Sequence, residues 1–398
     1  MNILYFSAMF DYDTYQKTFT QESKPMHAAN KYHTLLIAGL AENGIKVTSY
    51  SKLPINSVNY KKLQVRAKKI KNGNCEYRYI SMLNLPIVHH IQAFAKSFFK
   101  TCFAHQDTII LYDTLVVSPS LGALLGAKLT GKKSIAIVTD LPEFMPIATR
   151  KMMLKINNML MNSGDGYIFL TEQMNDRINL NNRPYTIVEG LVDDNMKDVA
   201  HKPYSSKKKI VYAGSLQRIY GIENLCYSYI ACNDHNSELH IYGDGDFADE
   251  LRVLIEKYDN IVYHGNVPNQ EVIDAELDAS LLVNPRPTEG EYTKYSFPSK
   301  TLEYMVSGTP VLTAELPGIP LEYYDYLWFF EENGSGLERA LRYILSKKNT
   351  ELEKFGEKSR DFALRYKNNI SQAAKTIELI NRVVERGKND NQNTQKNR

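Results

Sequence analysis

The chain offers none of the cysteine patterns that mark a metal knuckle, a redox dithiol or a disulfide framework. Its four cysteines, Cys75, Cys102, Cys226 and Cys232, include no CxxC pair, and they read as reduced thiols of a cytoplasmic protein. No uncharged apolar run reaches the roughly 18 residues that a membrane-spanning helix needs. The opening MNILYFSAMF lacks a basic flank and a cleavage-site pattern, so a first strand is expected there rather than a signal peptide. Charge of one sign does not dominate: 48 basic and 45 acidic residues leave a net charge of +3 over 398 residues. With 43% apolar and 23% charged residues, a disordered chain is excluded. The length suits two domains of about 100–200 residues each.

The small net charge is unevenly spread. The first 200 residues hold 23 Lys and Arg against 16 Asp and Glu, and the remainder hold 25 against 29. A basic first half fits an anionic lipid surface or an anionic substrate, an uneven solvated surface being the alternative.

Short, continuous apolar runs alternate with helical patterns throughout, which predicts parallel sheets covered on both faces. Strands are expected at 2–7, 45–50, 108–112, 134–139, 166–170 and 186–188, with a helix over 25–42. The polar stretch 194–208 interrupts the pattern, which restarts with strands at 209–213, 238–242, 261–264, 280–284 and 310–313. The expected fold is α/β, two doubly wound parallel-sheet (Rossmann-like) domains facing a cleft. The domains are placed at 1–193 and 209–365, joined by the 194–208 linker. A helix at 366–386 is expected to pack back on the first domain, followed by a disordered tail at 387–398.

Ligands of such sheets bind beyond the carboxyl ends of the strands, so the residues after each strand are the candidates. The most informative stretch is YSFPSKTLEYMVSGTPVL, 295–312. Ser296, Pro298, Ser299 and Lys300 open a helix of about ten residues, and Ser307-Gly308 closes it. A helix N-terminus reinforced by Lys300 is an anion site, and Glu303 lies one turn deeper, where a ribose hydroxyl would need an acceptor. An ordinary capped helix with a solvated Lys/Glu face is the plainer alternative. Arg286, after the preceding strand, is a second cation for phosphate or a plain surface arginine. Gly214-Ser215-Leu216-Gln217-Arg218 could close over a diphosphate or form a simple β–α turn. Gly243-Asp244-Gly245 lacks the third glycine of a dinucleotide fingerprint, which argues against an oxidoreductase.

In the first half, Asp140 follows a strand and could serve as base, sugar-hydroxyl acceptor or helix N-cap. Glu143 is a weaker candidate, and His27 and His33 could reach the cleft or lie on the surface. The segments 84–104 and 150–162 combine apolar and basic residues. Either could lie on an anionic bilayer, and core packing is favoured for both.

The ordered set YAGSL…YGIENL, ELHIYGDGDF, IVYHGNVP, SLLVNPRP, YSFPSKTLEYMVSGTPVL and ELPGIP resembles bacterial GT-B glycosyltransferases of the family-4 type. The likeness is nearest to those that build capsular and other surface polysaccharides. It is dense over 209–325 and looser before, where GYIFLTEQM and YTIVEGLVD carry it. It implies the GT-B architecture and transfer of a sugar from a nucleotide-diphosphate sugar, with retention and without a metal or other cofactor. It further implies that Glu303 binds the ribose, that Ser296, Ser299 and Lys300 meet the diphosphate, and that the backbone around His264, Asn266 and Val267 meets the base. The motif's first glutamate is Tyr295 here, the usual first-loop cations correspond to Ser215 and Tyr220, leaving Arg218 as substitute, and the usual first-domain histidine is Thr139.

The expected protein is therefore a glycosyltransferase with Asp140, Arg218 and Lys300 as catalytic residues. Gly214, Ser215, Arg286, Ser296, Pro298, Ser299, Glu303, His264, Asn266 and Val267 would bind the donor. Its acceptor would be a glycan or lipid-linked sugar, with peripheral contact to an anionic membrane and no nucleic-acid partner. A non-catalytic partner of the same fold, or a nucleotide-sugar epimerase, is the alternative.

Overall fold

The computed structural model describes residues 1–11, 14, 27–55, 60–145, 151–199 and 207–396. The chain divides into two compact units, Met1–Leu191 together with Asn369–Arg398, and Val192–Asn368.

The first unit contains β1 (Asn2–Ser7), α1 (His27–Glu42), β2 (Lys46–Ser51), β3 (Gln64–Val65), β4 (Lys68–Asn72), β5 (Cys75–Tyr79), β6 (Met82–Leu83) and α2 (Val88–Cys102). It continues with β7 (Thr108–Asp113), α3 (Val117–Thr130), β8 (Ser134–Val138), α4 (Lys151–Met161), β9 (Gly166–Phe169), α5 (Glu172–Ile178) and β10 (Tyr185–Ile187). The main sheet runs β10-β9-β8-β7-β1-β2-β5-β4, and only β4 is antiparallel to its neighbour. Every residue of β7 and β8 is buried, as helices on both faces of a parallel sheet require. The edge strand β4 was not expected from its polar KKIKN; backbone pairing to β5 holds it, and lysines suit an exposed edge.

The second unit contains β11 (Lys208–Ala213), α6 (Ile222–Cys232), β12 (Ser237–Tyr242), α7 (Ala248–Ile255), β13 (Ile261–Gly265), α8 (Asn269–Leu277), β14 (Leu281–Asn284) and α9 (Ser299–Ser307). After these come β15 (Val311–Ala314), β16 (Trp328–Phe330), α10 (Gly336–Leu345) and α11 (Asn349–Tyr366). Its strands are all parallel, in the order β13-β12-β11-β14-β15-β16. This is the doubly wound order, and the winding reverses between β11 and β14. Alternate strand residues feed two cores: Ile210 and Tyr212 join the layer of α6, α7 and α10, while Val211 joins that of α9 and Phe362 of α11.

Two boundaries differ from expectation. Residues 194–198, expected as linker, form a 3-10 turn held by Arg360, which donates to the carbonyls of Met196 (2.9 Å) and Lys197 (3.2 Å). The last helix, α12 (Asn369–Lys396), packs in the first unit: Asn43 donates to Ile370 O (2.9 Å) and Arg382 to Tyr185 O (2.6 Å). It runs on through the segment after Gly387 that was expected to be disordered. Nucleation is the costly step, and the helix is already anchored by buried Leu379, Ile380 and Val383.

Candidate functional site

The reversal between β11 and β14 puts two loops side by side at the carboxyl ends of the strands. Backbone hydrogen bonds lace them to their neighbours: Gly214 N donates to Tyr242 O (3.0 Å), Gly243 N to Gly265 O (2.8 Å) and Leu216 N to Asp244 O (2.9 Å). The approach is close enough to demand glycine. At Gly243, φ is +128° and a Cβ would stand 1.8 Å from Gly214 O; at Gly221, φ is +78° and a Cβ would stand 2.0 Å from Pro285 O. Gly214 and Ser215 therefore belong to a rigid rim, with Ser215 exposed and its carbonyl accepting from the Tyr212 hydroxyl (2.7 Å).

The helix expected to open at Ser296 begins at Ser299, with Pro298 at its N-cap. Proline forces the residue before it towards extended backbone, and Ser296, just ahead, is extended as well (φ −136°, ψ 137°). Ser299 is exposed at the mouth of α9, and Gly308 closes the helix in the left-handed conformation (φ 81°). Lys300 points back to the sheet, its Nζ donating to the carbonyl of Ala213, the last residue of β11. Tyr304, one turn on, donates to the same carbonyl (3.1 Å). Burial holds the Lys300 ammonium below the usual lysine range, while the Glu303 and Glu276 carboxylates pull the other way. Glu303 is half-buried.

Arg286 reaches the α9 lead-in. Its Nη2 lies 3.5 Å from Ser296 Oγ, its guanidinium covers the Tyr292 ring at 5.0 Å, and its buried Nε has no hydrogen-bond partner among the described residues. An unsatisfied buried guanidinium nitrogen costs free energy unless an acceptor completes it. Lys300 and Arg286 thus bring two cations to the ends of the adjacent strands β11 and β14. Such a pair, with the positive end of α9, can hold a diphosphate.

The other donor-side candidates are less uniformly placed. Arg218 is not presented bare: its guanidinium pairs with Glu223 (2.7 Å) and Glu250 (2.6 Å) and covers Phe247 at 5.0 Å. These two carboxylates lie on α6 and α7, and spacing along the chain gives no signal of them. His264 stacks on Tyr242 (4.1 Å, 2° between planes), and its Nε2 meets His240 Nδ1 at 3.0 Å. Burial, then the neighbouring His240, lowers its pKa. Asn266 is exposed and Val267 half-buried just beyond. Tyr295, standing where the resemblance expects glutamate, points its hydroxyl to Glu291 Oε1 (3.4 Å).

In the first unit, Asp140 is half-buried beyond the end of β8. In the following 3-10 turn, Pro142–Phe144, the N-cap position is held by Leu141, one residue after Asp140. Glu143 pairs with Arg177 (2.9 Å). His27 opens α1, and its side chain lies outside the described residues. His33, expected at the surface or the cleft, is buried: Nδ1 meets the Tyr5 hydroxyl at 2.6 Å and Nε2 stands 3.0 Å from Asp113 Oδ2. The histidine is one of a lone pair on a helix in sequence, and only the fold brings Tyr5 and Asp113 to it.

Among the described residues, no group of three His, Cys, Asp or Glu side chains is placed to hold a metal, and no helix is long and apolar enough to cross a membrane.

Comparison with known proteins bears on the fold and on the second unit. Residues 207–347 match the family model of glycosyl transferases group 1. No curated protein matches the chain. Among solved structures, it is similar to a sucrose-phosphate synthase from Thermosynechococcus elongatus (TM-score 0.68, 13% identity, 97% of this chain and 100% of the other). It is similar also to Anabaena Alr3699/HepE in complex with UDP (TM-score 0.65, 12% identity, 96% and 100%). A third likeness is to the E. coli trehalose-6-phosphate protein bound with UDP-2-fluoro glucose (TM-score 0.64, 11% identity, 95% and 99%). The chain therefore has the α/β fold of GT-B glycosyltransferases, and its second unit carries the group 1 glycosyl transferase pattern.

Proposed function

We propose that the chain transfers a glycosyl group from a nucleotide-diphosphate sugar to a glycan or lipid-linked acceptor, with retention, without a metal, in surface polysaccharide biosynthesis. The observation that carries this reading is the pair of cations, Lys300 and Arg286, at the ends of the two strands where the winding of the second unit reverses.

In the reaction the bond from the anomeric carbon to the diphosphate oxygen breaks and a bond to the acceptor oxygen forms. The departing diphosphate gathers negative charge, which Lys300, Arg286 and the amides at the mouth of α9 stabilise. Arg218 joins them once the phosphates draw it from Glu223 and Glu250. Ser296, Pro298 and Ser299 shape the mouth, Gly214 and Ser215 form its opposite rim, and Glu303 holds the ribose hydroxyls. The base lies against the backbone of His264, Asn266 and Val267. Asp140 orients or deprotonates the acceptor hydroxyl, or supports the donor sugar. Two of the structural neighbours carry UDP or a UDP-sugar, so uridine nucleotides are the first donors to try.

Titration calorimetry of the full chain against UDP-, GDP- and ADP-sugars tests the reading. Glu303→Ala and Lys300→Ala should each weaken binding, and wild-type affinity in both would rule out this site. Undiminished turnover in Asp140→Asn would remove that residue from the mechanism. Tyr295 in place of glutamate supports a second reading, a partner of the same fold that binds nucleotide or glycan without transfer. Hydrolysis of a nucleotide-sugar, or transfer to any acceptor, separates the two. An isomerised sugar nucleotide formed without acceptor would point to an epimerase.

A further inference from the structure

The edge of the second unit holds a cleft that the donor site does not use. Strand β16 ends its sheet, and α10 follows it after the loop 331–335. Gly336, Arg339, Ala340 and Tyr343 stand at i, i+3, i+4 and i+7, and so share one face of α10. With Trp328 and Glu331 they wall a cavity of about 300 Å³, which suits a ligand of one or two sugar rings. Small residues make the room. Ala340 carries a single methyl group, and at Gly336 a Cβ would stand 1.8 Å from Glu331 O.

Two kinds of surface meet in this cleft. Trp328, the chain's single tryptophan, is half-buried and stacks on Phe355 of α11 (4.2 Å, 11° between planes). Tyr343 is 59% exposed, with the Lys347 ammonium 4.2 Å from its ring centroid. Alongside the rings is a planar polar set. Arg339 Nη2 donates to Glu331 Oε2 (2.9 Å) and Asn333 Oδ1 (2.8 Å), and its Nη1 to Ser335 Oγ (2.5 Å). Asn333 Nδ2 donates to the same Glu331 oxygen (2.7 Å). These bonds fix the guanidinium and the carboxylate, while Arg339 Nε and Glu331 Oε1 take no hydrogen bond among the described residues.

That combination selects a neutral sugar. A pyranose has a C–H face that an aromatic ring attracts, and a rim of hydroxyls that can meet both a carboxylate and a guanidinium. A phosphate finds no unpaired cation here, since Arg339 is met by Glu331 (2.9 Å) and Lys347 stands 3.8 Å from Glu351. Nor does a peptide strand find a template, because β16 is an edge of only three residues. The same loop is tied to the donor side. The Thr288 N–H donates to Glu332 Oε1 (2.7 Å) and its hydroxyl to Oε2, two residues beyond Arg286.

We infer that the cleft between β16 and α10 binds a pyranose of the glycan acceptor, as a second sugar subsite separate from the nucleotide-sugar site. The inference deepens the sugar-transfer reading and rests on it for the source of the glycan; sugar binding itself is measured without nucleotide.

Trp328 supplies the readout, since no other tryptophan contributes emission. Tryptophan fluorescence of the full chain is titrated with maltose, cellobiose, lactose and mannobiose. At least one should give a saturable change. Arg339→Ala should weaken that response about tenfold or more, Tyr343→Ala about fivefold, and Ala340→Leu, which fills the cavity, should abolish it. Arg339 and Tyr343 are exposed and leucine suits a helix, so all three variants should melt as wild type and keep UDP-sugar affinity by calorimetry. No saturable response to any disaccharide, or an undiminished one in all three variants, would overturn the inference. Displacement of the sugar by inorganic phosphate would also overturn it, by assigning the cleft to an anion. A disaccharide response retained while UDP-sugars fail to bind would uphold the cleft and count against the donor-site reading alone.

Discussion

Replacing Lys300 by methionine separates what this side chain does for the fold from what it does for a ligand. In the folded chain its Nζ donates to Ala213 O, a carbonyl that also accepts from the Tyr304 hydroxyl at 3.1 Å. Methionine keeps the aliphatic stem and leaves that carbonyl one donor. The stability cost is therefore that of a single hydrogen bond, about 1 kcal/mol. A diphosphate bound at the mouth of α9 loses a charge-assisted bond worth about 1.5–3 kcal/mol, which is about 10- to 150-fold in Kd. The pH dependence has a definite sign. Burial lowers the folded pKa of Lys300, so between that value and the unfolded 10.5 the unfolded state binds more protons and stability rises with pH. Nucleotide affinity runs the opposite way, falling over the same window as the ammonium that meets the phosphates is lost. Lys300→Arg stays charged, with a pKa above about 12, and should show no such fall. Calorimetry of UDP-sugar binding across neutral to alkaline pH reads all three proteins. Wild-type affinity in Lys300→Met with the fold intact would refute the reasoning.

Four further outcomes are expected. Gly243→Ala, forced to φ +128° with its Cβ 1.8 Å from Gly214 O, should destabilise the second unit by about 2–4 kcal/mol in denaturant titration; a loss under about 0.5 kcal/mol would mean that the two loops yield. Asp113→Ala removes the acceptor of the Leu115 N–H (2.9 Å) and the carboxylate facing buried His33 Nε2 (3.0 Å) and should cost about 1–3 kcal/mol, seen as a lower melting temperature of the first unit. Glu250→Gln frees Arg218 from one of its two carboxylates and should tighten nucleotide-sugar binding a few-fold; unchanged or weaker binding would leave Arg218 as a tie between α6 and α7. At Asp11 burial raises the pKa, but hydrogen bonds from Thr14 and Tyr79 and the charge of Lys68 outweigh it and hold the carboxyl at about 2. Its stabilisation is present above the unfolded value of 3.8 and lost as pH falls towards 2, so an Asp11→Asn variant should lose less stability over that interval than wild type.

Much of the fold is legible because a parallel strand buried on both faces must be apolar at every position. TIILY and SIAIV announce β7 and β8 without any partner being known. The strands that escape such reading are those whose stability comes from their neighbours. KKIKN of β4 carries no burial signal, and the three residues of β16 are too few to show a period. Of the candidate site, the α9 segment is marked by its own punctuation, proline before and glycine after, which act locally.

Chemistry between distant residues has no such mark. Arg218 looks free in sequence because Glu250 is 32 residues away, and His33 looks like a surface histidine because Tyr5 and Asp113 lie on other strands. The sequence by itself determined the alternation of strands and helices, the two-unit plan and the presence of a short helix between Pro298 and Gly308, since each follows from local periodicity and capping. Only the tertiary structure decided which cations stand at the mouth of that helix, which are neutralised elsewhere, and which aromatic residues remain in water. Those are properties of side chains brought together across loops, where electrostatic and packing energies depend on distances in space that chain spacing does not encode.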